Sequence, residues 1–224
     1  MKKKTEKSLK TKAHIYKTAI ELFQSEGYEK ATMRAIAKKA KISLGLTYYH
    51  FKTKEEIVFH FYENTQIEAE MMNSQFFQKE TDFKKRVKHV LTTKIEQFNP
   101  YSNFLHVLAQ TASNPKSKLS PFSPETEPIR REAIQIFKNA LEGSNYKPPE
   151  DIRIALPSLL WLYQMGILYF WIWDKSSQKS RTLDLIDFSF DLVFRLLRIS
   201  RLPFMKPIRR SILKIYSFVL ESVV

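Results

Sequence analysis

The run Ser43-Leu44-Gly45-Leu46-Thr47-Tyr48-Tyr49-His50-Phe51 is followed closely by Lys54. It gathers side chains suited to holding phosphate. Amide ends and hydroxyls at a helix start bind phosphate oxygens, and tyrosine, histidine and lysine tips extend that reach. A helix that enters the major groove presents its N-terminal residues to base edges. Leu44 and Leu46 would meet thymine methyl groups there, and Gly45 would let the backbone approach closely.

Other chemistry is poorly served. The five histidines stand at 14, 50, 60, 89 and 106, with no paired metal-site spacing. Asp184, Asp187 and Asp191 have no companion histidine and read as the wet face of a helix. There is no glycine-rich phosphate loop and no serine nucleophile elbow. The chain has no cysteine, which excludes a disulfide scaffold, a cysteine-ligated metal and a cysteine nucleophile, and fits a reducing cytosol. No catalytic residue, metal site or cofactor is expected.

The elements that position the run must be helices. All ten prolines lie at or beyond Pro100, and only four residues of 224 are glycine, which disfavours turn-dense β folds. Ile15, Ala19, Leu22 and Phe23 repeat at helical spacing and are followed by Gly27, a good C-cap. Thr32 can cap a second helix to about Lys39, and Ser43 a third to about His50. Thr53 and Glu56 form a capping box that opens a long helix. Further helices are predicted near 82–97, 101–112, 128–142, 151–174, 180–200 and 206–222, with a proline-rich loop from Thr111 to Pro128. The expected fold is all-α, with about nine to ten helices. Residues 1–55 read as a three-helix helix-turn-helix domain, and residues 56–224 as a second helical domain.

Lysine and arginine number 37 against 23 acids, a formal net charge of +14. Residues 1–60 hold 14 of the bases and 6 of the acids. That concentration suggests a phosphate backbone or an anionic membrane as partner. Hydrophobic residues make up 43% of the chain, which excludes wholesale disorder. Met1-Lys2-Lys3-Lys4 reads as a flexible arm. It lacks the apolar stretch of a secretory signal, so a cytoplasmic location is expected.

At these residues the sequence resembles the tetracycline-repressor (TetR/AcrR) family of bacterial regulators. The match runs through Ile15, Ala19, Leu22-Phe23 and Gly27-Tyr28. It continues with Ala31-Thr32, Ile36-Ala37 and Ala40, then Ile42-Ser43, Gly45 and Tyr48 to Glu55. The resemblance implies phosphate contacts from Thr32, Tyr48, Tyr49, His50 and Lys54, with Arg34, Leu44, Gly45 and Leu46 nearest the bases. Ser43 and Thr47 complete the expected DNA-facing set. Two positions depart from the family pattern. Lys41 stands where the turn often has glycine, and a left-handed turn there costs lysine about 1 kcal/mol. Thr47 replaces a leucine; facing inward it packs weakly, and facing outward it can read DNA.

Residues 154–173 contain no charged side chain. Twenty such residues meet the length of a membrane span, but also suit a helix buried on every side. Across 183–199 the charges Asp184, Asp187, Asp191, Arg195 and Arg198 draw one narrow stripe, with acids early and bases late, in keeping with the helix dipole. The helices near 151–174 and 180–200 therefore read as a pair that forms a four-helix bundle with a second copy, and no stable membrane insertion is expected. The resemblance implies the same homodimer. It also implies a double-stranded operator and a small-molecule effector that changes the spacing of the recognition helices. Phe104, His106, Trp161, Tyr163, Gln164 and Tyr169 are candidates to line an apolar pocket, or are ordinary core. The tail, 206–222, carries an apolar stripe of Ile208, Ile212, Ile215, Val219 and Val223 opposite Lys206, Arg209, Arg210 and Lys214. Packing on the protein's own body is the favoured reading and an anionic membrane surface the other. The function expected is a ligand-responsive repressor. The alternatives are a peripheral membrane-surface protein and a DNA binder without ligand sensing.

Overall fold

A computed structural model describes residues 2–114 and 116–221. The side chains of Lys2-Lys3-Lys4, Val219 and Val223 lie outside the described residues. Eleven α-helical segments follow one another, with no strand among the described residues. They are α1 (Lys2–Glu26), α2 (Met33–Ala40), α3 (Leu44–His50), α4 (Lys54–Phe77), α5 (Phe83–Phe98), α6 (Ser102–Ala112), α7 (Glu127–Glu142), the single turn α8 (Glu150–Arg153), α9 (Leu156–Trp173), α10 (Ser180–Ile199) and α11 (Lys206–Glu221).

Local chemistry sets the early boundaries. Gly27 ends α1 at a φ of 87°. The hydroxyl of Thr32 accepts the Ala35 N–H at 3.1 Å, and that of Ser43 accepts the Leu46 N–H at 3.2 Å. Lys41 takes the left-handed conformation (φ 56°, ψ 41°) between α2 and α3. Thr53 accepts the Glu56 N–H at 3.3 Å, while Glu56 returns its carboxylate to the N–H of Lys52 at 2.6 Å rather than to Thr53.

The helix expected over 151–174 is two helices. Pro157 has no N–H to donate, and its ring crowds the carbonyl four residues back, so α8 stops at Arg153 and α9 starts at Leu156. No described helix is long and apolar enough to cross a membrane.

Two compact units emerge. The first comprises residues 1–64 and 101–120, and the second residues 65–100 and 121–224. In the first, α1 to α3, the start of α4 and α6 share one core. Phe104 stacks on Phe23 with ring centroids 5.5 Å apart and meets Phe61 edge-on at 5.3 Å. In the second, α5, α7, α9 and α10 close around Leu91, Ile95, Phe137, Trp161, Trp171 and Phe190, all buried. The carboxylate of Asp174 ties α9 to α10, accepting from the Ser176 and Thr182 backbone N–H groups and from both hydroxyls, at 2.6–3.0 Å.

The acidic stripe of α10 is not simply a wet face. Lys88 reaches Asp187 and Asp191 at 2.8 Å, and Lys84 reaches Asp191 at 2.9 Å, so part of the stripe is paired to α5. The outward surface of α10 is apolar instead, with Phe188, Leu192 and Leu196 exposed.

Candidate nucleic-acid interface

Helix α3 has a closed side and an open side. Phe51 and Thr47 point inward, and Ser43, Gly45, Leu46, Tyr48 and Tyr49 are exposed. Tyr49 stands 70% exposed, and its ring meets His50 edge-on at 5.1 Å. Thr32 and Arg34 at the start of α2 are also exposed, and Leu44 and His50 are half-buried. Most of the predicted set is thus accessible, with Thr32 and Arg34 at the start of α2 and the others along α3.

Thr47 departs from the set. It is fully buried, and its hydroxyl donates to the Ser43 carbonyl at 3.1 Å. Its shorter side chain takes the inward position of the helix and packs against the core. Lys54 is half-buried and held in place. Its Nζ donates to the carbonyls of Tyr28 at 2.8 Å and Glu29 at 3.4 Å, and sits 4.5 Å from the Tyr28 ring centroid. An ammonium has three donors, so one remains for a phosphate.

The sequence reading missed the residues behind this surface. Tyr28 donates its hydroxyl to Glu55 at 3.1 Å while its ring and carbonyl hold Lys54. Burial and the Glu55 charge push its phenol far above the ordinary range. His14 Nε2 lies 3.0 Å from the Ala40 carbonyl and ties α1 to the turn before α3. The Gly27-Tyr28 pair was visible in the sequence; the long-range partners were not. Burial, together with the Lys12 charge, holds His50 below its ordinary pKa, which favours a neutral ring at pH 7.

Gly45 is informative for what surrounds it. A Cβ there would meet nothing within 4 Å, and its φ is not positive. The free fold therefore places no demand for glycine at this position.

The six predicted effector residues fall on two helices, α6 and α9. Phe104 and His106 lie on α6 in the first unit, where the Phe104 ring is part of the packed core. The other four lie on α9. Trp161 and Gln164 are buried on its inner side, and Gln164 Nε2 has no hydrogen-bond partner. Tyr163 turns toward α10, its hydroxyl 2.6 Å from that of Ser189. Tyr169 is mostly exposed and shares the outer side with Phe170. Tyr169 therefore lies outside the buried side of α9 that carries Trp161 and Gln164. A cleft lined by Leu141, Glu142, Tyr146, Lys147 and Arg153 contains none of the six.

Comparison with known proteins agrees with this anatomy. Residues 15–61 match the family model for bacterial regulatory proteins of the tetR family, and residues 86–213 the model for the tetracyclin repressor-like C-terminal domain. A putative TetR-family transcriptional regulator from Syntrophomonas wolfei superimposes with a TM-score of 0.63 at 16% identity, covering 82% of this chain and 94% of that one. The transcriptional regulator FadR from Bacillus subtilis, in complex with stearoyl-CoA, gives 0.61 at 18% identity over 78% and 96% of the two chains. Thermus thermophilus FadR, in complex with lauroyl-CoA, gives 0.60 at 16% identity over 85% and 95%. With family models spanning both its helix-turn-helix and most of its second unit, the chain belongs to the TetR family and is a transcriptional regulator with a helical DNA-binding domain.

Proposed function

We propose that the protein is a homodimeric repressor that holds an inverted-repeat operator and releases it when an apolar effector occupies the second unit. The observation that carries this reading is the open side of α3. Exposed leucine, glycine and tyrosines stand on a helix whose other side is packed, a surface suited to a major groove. Thr32, Ser43, Tyr48, Tyr49, His50 and the remaining Lys54 donor serve the phosphates; Arg34, Leu44, Gly45 and Leu46 serve the base edges.

Dimerisation uses the outer sides of α9 and α10. Gly166 lies exposed on α9 with open space where a Cβ would stand, which suits close helix approach. On α10, Asp184 and Asp187 come early and Arg195 and Arg198 late. A two-fold axis near Leu192 sets the acids of each copy against the arginines of the other. Gln164, buried with an unmet donor beside Trp161 on the same inner helix face, supports an effector carrying a hydrogen-bond acceptor within an apolar body. The acyl-CoA complexes of the two FadR proteins support an acyl thioester as its class.

The test is selection of bound sequences from a random DNA pool at physiological salt. Enrichment of one inverted repeat, with half-sites about one helical turn apart, is expected. Recovery of DNA with no common motif overturns the reading. Long-chain acyl-CoA added to the selected complex is expected to release it.

A further inference from the structure

Helix α11 is docked the opposite way to what its composition calls for. Its isoleucines, at 208, 212 and 215, fall within about 60° of one another around the helix axis. They are 51%, 41% and 65% exposed. The residue that goes inward is a cation. Arg209 is 8% exposed and pairs with Asp151 of α8 at 2.9 Å, also donating to the Ser200 carbonyl. Leu213 and Tyr216 beside it are half-buried. An ion pair thus fixes the helix with its apolar stripe outward, so packing on the protein's own body does not account for the stripe.

The surroundings of the stripe say what covers it. Exposed apolar residues lead into it from Ile199 through Leu202 and Phe204. Between Ile199 and Glu221 the chain has five lysines and arginines and no acid. Arg201, Lys206, Arg210 and Lys214 are all exposed. A second copy is a poor occupant. A two-fold axis would set this patch against itself and place cation against cation. Nucleic acid would satisfy the charges and leave the isoleucines in contact with phosphate and water. An anionic lipid surface satisfies both. Isoleucines enter the boundary between head groups and acyl chains, and long basic side chains snorkel to the phosphates.

We propose that α11, with the segment leading into it, docks the regulator on the surface of an anionic membrane without crossing it. The test floats the full-length protein with vesicles of phosphatidylglycerol and phosphatidylcholine in equal parts, and with pure phosphatidylcholine. Flotation is expected with the anionic vesicles only, and is lost in 0.5 M salt on the order of the screening expected for surface charges. The triple change Lys206→Glu, Arg210→Glu and Lys214→Glu is expected to weaken partitioning by at least about a hundredfold. Ile208→Ser with Ile215→Ser is expected to abolish it, while leaving the thermal melt and DNA binding unchanged. All five side chains are exposed, so the variants fold. Three outcomes overturn the proposal: no flotation with either vesicle; flotation that survives the double isoleucine change, which means charge alone; or a dimer that falls to monomer in light scattering when the isoleucines are changed, which makes the stripe a contact between copies.

Discussion

Gly45, His50 and Lys94 show how single side chains divide between folding and function. Alanine at position 45 meets open space and improves an exposed helix position by about 0.8–1 kcal/mol. Gly45→Ala should therefore raise the melting temperature while weakening operator binding at least tenfold; unchanged affinity would remove Gly45 from the interface. His50 is held below its ordinary value of 6.5, and a phosphate beside it favours the imidazolium. Operator affinity should grow as pH falls through that depressed value, and His50→Gln should erase the increment in a binding titration from pH 7.5 to 5.5. Lys94 lies buried on α5, its Nζ donating to Gln97 at 3.0 Å and to the Thr65 carbonyl at 3.4 Å, with no carboxylate in direct contact. Burial lowers its pKa from 10.5 to about 7. Between those values the unfolded chain holds a proton that the native chain lacks, so stability rises with pH across the window. Lys94→Met should stabilise the protein by about 1–3 kcal/mol at pH 7 and flatten that rise in chemical denaturation. The Gln97 amide already donates to the Thr65 carbonyl at 3.0 Å, and the Gln97 Oε1 that loses the Lys94 donor is on a half-buried side chain within reach of water.

Helices here are joined by a few polar anchors as much as by packed stripes. Asp174 is the clearest. Though burial works against its charge, hydrogen bonds from Ser176 and Thr182 hold its pKa at about 2, below the ordinary 3.8. Its stabilising effect is present above the unfolded value and is lost as pH falls from about 3.8 toward 2. Asp174→Ala leaves the start of α10 without its acceptor and should cost about 3 kcal/mol at neutral pH, read as a lowered denaturation midpoint. The same logic explains α10 and α11. Lys84 and Lys88 hold α10 through Asp187 and Asp191, and Arg209 holds α11 through Asp151. In both helices a charged position lies inward and apolar residues are left outside.

For the whole molecule, those outward faces make assembly the central question. Phe188, Leu192 and Leu196 form an exposed stripe on α10, too apolar to be left in water at working concentrations. Leu192→Glu, at the proposed two-fold axis, sets like charges against each other. Sedimentation should report a folded monomer with an unchanged circular dichroism spectrum, and operator affinity should fall on the order of a hundredfold or more as one half-site is lost. A dimer that persists would move the interface elsewhere. The charge of +14 adds a separate expectation. Operator binding should weaken steeply with salt, and loss of one phosphate contact should lower the logarithmic slope by about 0.9.

Much of the architecture was legible in the chain itself. Thr32 and Ser43 as caps, Gly27 as a stop and the proline-free first 99 residues marked the early helices, because caps and breakers act on the backbone within a few residues. The ordered pattern from Ile15 to Glu55 likewise carried the helix-turn-helix, and Lys41 kept the left-handed turn despite its side chain. Direction around each helix was less legible. A composition stripe says that one face differs from another, but which face turns inward depends on partners distant in sequence. Thr47 is buried because α3 packs on its neighbours through that position. Phe104 serves a core built with Phe23 and Phe61. Arg209 is inside because Asp151, 58 residues away, is there to meet it. Local hydrogen bonds and steric limits wrote the helices into the sequence; only long-range pairing decided which of their surfaces are buried and which stay exposed.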